Sequence, residues 1–144
     1  MAGILIVDDN PSIRYLLRVF VESQTEYKVC GEAKHGVEAI QRAKELAPEL
    51  VLLDLSMPIL GGTETASVLK RAYPEIKIIL FSMHMDEIPR TVAAKIGVDV
   101  ALSKADGIAK LREHLQNLLG SRQAAAADSA GEITTVAVLP QTPV

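Results

Sequence analysis

The sequence contains one cysteine, Cys30, so no internal disulfide can form, and a reducing cytoplasm is the expected compartment. Its amino-terminal stretch, "MAGILIVDD", lacks the basic flank and long apolar run of a signal peptide. No stretch approaches the roughly 20 apolar residues needed to span a bilayer. Positive charge is not in excess either. The formal charge is −3, and lysine and arginine are dispersed, which argues against DNA binding by this chain alone. The histidines His35, His84 and His114 have no metal-ligand spacing, and no internal repeat is visible. What is present is ordinary globular material, 49% hydrophobic and 23% charged in 144 residues, enough for one compact domain.

Short apolar runs recur, each bounded by polar or turn residues: "ILIV" at 4–7, "YKVCGEA" at 27–33, "LVLLD" at 50–54, "IKIILFS" at 76–82 and "VDVALS" at 98–103. Their length and β-branched content predict strands. Helical spacing fills the gaps. Residues 12–23 set Ile13, Leu16, Leu17 and Phe20 on one face, with Pro11 suited to a first helical position after a capping Asn10 or Asp9. Residues 37–47 repeat the pattern through Val37, Ile40, Ala43, Leu46 and Ala47. Helices are also expected at 64–73, at 86–96 with Pro89 near its first turn, and at 106–119 with Ile108, Leu111, Leu115 and Leu118 on one stripe. Alternation of this kind predicts an α/β fold with a doubly wound parallel sheet, flavodoxin-like, in strand order 2-1-3-4-5. Such a sheet binds ligands outside the carboxyl ends of the strands where the order reverses, between strands 1 and 3. After Gly120 the composition shifts to Ala, Ser, Gly and Pro, so residues 1–120 are expected to form the domain and 121–144 a linker or tail.

Those two strand ends carry acids. Strand 1 ends in Asp8 and Asp9, and strand 3 in Asp54, so three carboxylates would meet at one rim. Like charges that close cost stability unless a cation intervenes, and carboxylate oxygens suit Mg²⁺, with Mn²⁺ a substitute. Mg²⁺ is often completed by phosphate oxygens. Ser82 at the end of the fourth run and Lys104 after the fifth add a hydroxyl and an ammonium able to receive phosphoryl oxygens. Each group also has a plainer reading. Asp8 or Asp9 could cap the first helix, Asp54 could simply end a strand, Ser82 could occupy a turn, and Lys104 could be solvated.

The segments "LIVDDNPSIRYLLRVFV", "LVLLDLSMPILGG", "IILFS" and "LSK" resemble, in order and spacing, the receiver domains of two-component response regulators over roughly residues 3–119. "ILGG" and "FSMH" look most like the branch often fused to helix-turn-helix output domains. The resemblance implies that Asp54 accepts a phosphoryl group from a phosphohistidine on a sensor histidine kinase or phosphotransfer protein. It implies that Asp9 and Asp54 hold Mg²⁺ directly, Asp8 through water, and the backbone carbonyl of Ser56 completes the protein ligands. It also implies a switch rather than a turnover enzyme, with output or homodimerisation through the helix at 86–96, the strand at 98–103 and the helix at 106–119.

Two positions depart from the family pattern: Ala101 stands where an aromatic residue usually reports the switch, and Ala105 follows the lysine in place of proline. In the family that aromatic side chain swings inward when the serine or threonine moves, and the methyl group of Ala101 cannot report such a movement. A receiver-like scaffold independent of phosphorylation is therefore the competing reading. A flavin-phosphate binder fits less well, because "DDNPS" presents negative charge to a phosphate. A metal-dependent phosphatase usually wants a second acid where Ser56 stands. Ser56 and His84 lie two residues beyond Asp54 and Ser82, where they could influence attacking water. Replacing either is expected to change the dephosphorylation rate of the modified protein, and unchanged rates in both variants would contradict that placement.

Overall fold

The computed structural model describes residues 3–55, 57, 59–82, 95–103 and 108–120. Five strands form one parallel sheet in the order β2-β1-β3-β4-β5: β1 (Gly3–Val7), β2 (Lys28–Ala33), β3 (Leu50–Asp54), β4 (Lys77–Ser82) and β5 (Val100–Ser103). This is the expected topology. Helices α1 (Pro11–Gln24), α2 (Gly36–Leu46), α3 (Gly62–Ala72) and α4 (Ile108–Leu119) complete the described elements. The helix expected at 86–96 lies almost wholly outside the described residues.

Because side chains alternate along a strand, the buried runs divide between two faces. Leu5, Val7, Val51, Leu53, Ile78 and Leu80 pack with Ala39 and Ala43 of α2 and Ala66 and Leu69 of α3. Ile4, Ile6, Leu50, Leu52, Ile79 and Phe81 pack with Leu17 and Val21 of α1 and Leu111 and Leu115 of α4. Central strands covered on both sides read as continuous apolar runs, which is why "LVLL" carries no polar alternation.

The helix faces differ in detail from the pattern. On α1 the buried residues are Leu17 and Val21, with Ile13 and Phe20 partly buried, while Leu16 is 50% exposed. On α2 the buried positions are Gly36, Ala39 and Ala43, and Val37 is 50% exposed. Size explains the second case. A Cβ on Gly36 would come within 2.1 Å of the Thr65 hydroxyl and 2.8 Å of the Leu60 carbonyl oxygen, so α2 meets α3 too closely for anything but small residues.

Helix ends are fixed locally. The Asn10 side chain accepts from the Ser12 and Ile13 amides with Pro11 at the first position, so Asn10 is the cap of α1. On α2, His35 Nδ1 accepts from the Glu38 amide while the Glu38 carboxylate accepts from Lys34 N–H, a reciprocal cap. At the opposite end of the sheet, Lys70 of α3 donates to the Ile76 carbonyl and pairs with Asp99 at 3.0 Å, while Asp99 accepts from the Ile78 amide. These contacts tie α3 to the starts of β4 and β5.

Gly62 sets the chain after β3. Its amide donates to the Leu55 carbonyl at 2.9 Å, and a Cβ there would lie 2.5 Å from the Asp54 carbonyl oxygen and 2.7 Å from Leu55 Cα. Backbone, unlike a flexible side chain, cannot yield cheaply. Gly62→Ala is therefore expected to lower the unfolding free energy by about 1–3 kcal/mol in urea titration; a midpoint equal to the parent protein would show that this approach is not tight.

Candidate metal and phosphoacceptor site

β1 and β3 are hydrogen-bonded neighbours, with Val7 opposite Leu53, so their carboxyl ends emerge side by side. Asp8, Asp9 and Asp54 meet there, each offering a carboxylate oxygen within 4.8 Å of the others. Asp8 is 2% exposed, Asp54 is 5% exposed, and Asp9 is exposed. The group is thus a lip, anchored inward by Asp8 and Asp54 and open outward at Asp9. An all-oxygen donor set of this charge suits a hard divalent cation with room for water and phosphate oxygens. Asp8, Asp9 and Asp54 fit Mg²⁺ on these grounds.

The acidic turn is held from several directions. Asp8 N–H donates to the Ala33 carbonyl at 3.1 Å, and the Asp8 carboxylate accepts from Asn10 N–H at 2.9 Å. Arg14 Nη1 donates to the Asp8 carbonyl oxygen at 2.7 Å. The capping role left open for Asp8 or Asp9 belongs to Asn10, which leaves both acids directed to the rim. Asp54 is positioned by β3, where it lies opposite Phe81, and by the next amide, Leu55 N–H, which donates to the Phe81 carbonyl.

Ser82 ends β4 one residue past the partner of Asp54, the backbone placement expected for it. Ser56, His84 and Lys104 lie outside the described residues. Ala101 is partly buried, sits opposite Leu80 and packs against the α2–α3 side of the core. Cys30 is partly buried, and burial pushes its thiol up, away from a reactive thiolate.

Arg14 and Glu32 are residues that the sequence pattern did not single out. Arg14 Nε meets Glu32 Oε1 at 3.1 Å and Arg18 Nε meets Glu32 Oε2 at 2.6 Å, so one carboxylate of β2 holds two arginines of α1. The spacing of Arg14 and Arg18 on one helical face was the available signal. Their partner could not be read, because the β1–β2 register shifts between Ile4 and Leu5.

The family described as "Response regulator receiver domain" matches residues 4–116. Response regulator protein VraR of Staphylococcus saprophyticus is 30% identical over 113 residues, covering 78% of this chain and 54% of VraR. A protein-glutamate methylesterase/protein-glutamine glutaminase of Pyrococcus horikoshii is 33% identical over 91 residues, covering 63% of this chain and 25% of that protein. The chain therefore spans about half or less of the length of these curated relatives. Among solved structures, response regulator TrrA of Thermotoga maritima, in complex with Mg²⁺ and BeF, superposes with a TM-score of 0.74 at 29% identity, covering 82% of this chain and 99% of that one. A LuxR-family response regulator of Aurantimonas sp. SI85-9A1 gives 0.76 at 27% identity, covering 91% and 99%.

Burial alone would raise the Glu32 carboxyl, but hydrogen bonds and charge from Arg18 and Arg14 outweigh it and hold Glu32 below the ordinary range. The stability it supplies is present above the unfolded carboxylate range and is lost as pH falls through the lowered folded value. Glu32→Gln should therefore cost about 0.5–1 kcal/mol in urea titration at pH 7, a modest figure because the group is partly solvated. The difference should fade below about pH 4. A pH-independent difference would assign the effect to packing.

Proposed function

The chain belongs to the response regulator receiver domain family, and from that premise we propose that it accepts a phosphoryl group on Asp54 and relays a two-component signal by changing conformation. The observation that carries this reading is the meeting of Asp8, Asp9 and Asp54 at the carboxyl rim between β1 and β3. Asp54 closes β3 and is 5% exposed, a carboxylate anchored in the sheet at the rim. The donor is a phosphohistidine on a sensor histidine kinase or phosphotransfer protein. An Asp54 carboxylate oxygen forms the new bond to phosphorus while the bond from phosphorus to the imidazole nitrogen breaks and the imidazole leaves.

Phosphoryl transfer needs mainly an aligned nucleophile and charge stabilisation, so few protein groups suffice. Asp9 and Asp54 directly, Asp8 through water and the Ser56 carbonyl would hold Mg²⁺, which would supply charge neutralisation for the phosphoryl oxygens. Ser82 and Lys104 supply a hydroxyl and an ammonium to the product. The added charge on Asp54 draws these groups inward and shifts a two-state equilibrium. Residues 1–120 act as the receiver, 121–144 as linker or tail, in the cytoplasm, and the chain does not bind DNA alone. Homodimerisation uses the face comprising residues 86–96, β5 and α4.

The family is regulatory in itself, although one relative is named as an enzyme, and the role of this chain is that of a signalling phosphoacceptor. Ala101, too small to report movement of Ser82, favours a second reading: a scaffold whose partners bind irrespective of phosphorylation.

Intact mass after incubation with Mg²⁺ and a small-molecule phosphodonor separates the two. A phosphoryl-sized gain that disappears in Asp54→Asn and in metal-free buffer is expected. Folded protein with no gain, beside a control receiver that is modified, would favour the scaffold.

A further inference from the structure

Arg14 touches the acidic turn and its anchor at once. Its Nη1 donates to the carbonyl oxygen of Asp8 at 2.7 Å, and its Nε is bound to Glu32 at 3.1 Å, with the side chains only 18% and 29% exposed. The Asp8 carbonyl belongs to the peptide that joins Asp8 to Asp9. Whatever fixes that peptide fixes the backbone from which both carboxylates extend. Two further contacts hold other atoms of the turn: Asp8 N–H donates to the Ala33 carbonyl, and Asn10 N–H donates to the Asp8 carboxylate. Glu32 is in turn held by Arg18, so the guanidinium of Arg14 is gripped by a carboxylate that cannot easily follow it.

We propose that Arg14 is a positioning residue for the cation site, its planar fork fixing the Asp8–Asp9 peptide against Glu32 on β2. The inference rests on the reading of Asp8, Asp9 and Asp54 as a divalent-cation site. Charge and geometry make opposite demands on Arg14. As a cation near a cation site it opposes metal binding, so charge alone predicts that its removal tightens the metal. As the brace of the acidic turn it favours binding, so positioning predicts that its removal weakens the metal, as loss of an outer-shell partner does. Lysine keeps the charge but is a point donor that cannot span both contacts in one plane.

The test is direct binding of Mn²⁺, followed by electron paramagnetic resonance at fixed ionic strength, to the full chain, Arg14→Ala, Arg14→Lys and Asp9→Asn, with folding checked by circular dichroism. Arg14→Ala should bind about tenfold more weakly than the parent, and Arg14→Lys should fall between them. Tighter or unchanged binding in Arg14→Ala would overturn the proposal, as would parental binding in Arg14→Lys. If Arg14→Ala does not fold, Arg14→Lys decides alone. Parent protein that binds no Mn²⁺, or binds it as well as Asp9→Asn does, would overturn the cation-site reading itself, an outcome distinct from failure of Arg14's role.

Discussion

Mutual repulsion among the carboxylates of Asp8, Asp9 and Asp54 is the cost that this fold is arranged to bear. Oxygens within 4.8 Å of one another, two of the three groups almost wholly buried, would open the rim if the backbone could yield. It cannot yield easily. Asp54 is the last residue of a strand whose every position is buried, and Asp8 follows a strand hydrogen-bonded to that one along its length. The apolar sheet thus holds like charges side by side, a donor set suited to a divalent cation.

The surrounding sequence is shaped by the same need. The chain after Asp54 must leave the sheet at once. Gly62 allows this by bringing the start of α3 against the Asp54 and Leu55 backbone. The chain after Asp9 must also turn at once, and Asn10 with Pro11 starts α1 there. Neither the glycine nor the cap belongs to the acidic rim. Both place the residues that do.

Strands and sheet order were legible in the sequence because a doubly covered parallel sheet writes itself as unbroken apolar runs; "LVLLD" coincides with β3 end to end. The acidic rim was legible for a related reason, since each acid sits where such a run stops. Helix faces were less so. α1 has apolar residues on more than one side, including exposed Tyr15, Leu16 and Val19, and hydropathy cannot say which side meets the sheet. On α2 the contact demands small residues, so Gly36 and Ala39 outrank Val37, which a hydrophobicity pattern prefers. The Arg14–Glu32 brace was hidden by strand register, a property of backbone pairing that neither residue's own neighbourhood encodes.

Repulsion within the acidic rim can be read from the urea unfolding free energy of the parent chain and of Asp9→Asn, each with and without Mg²⁺ at constant ionic strength. Without metal, neutralising exposed Asp9 should raise stability by relieving repulsion. Saturating Mg²⁺ should stabilise the parent more than the variant, narrowing or reversing the gap. An Asp9→Asn protein less stable than the parent without metal, with equal responses to Mg²⁺, would show that the three acids are not held in mutual opposition.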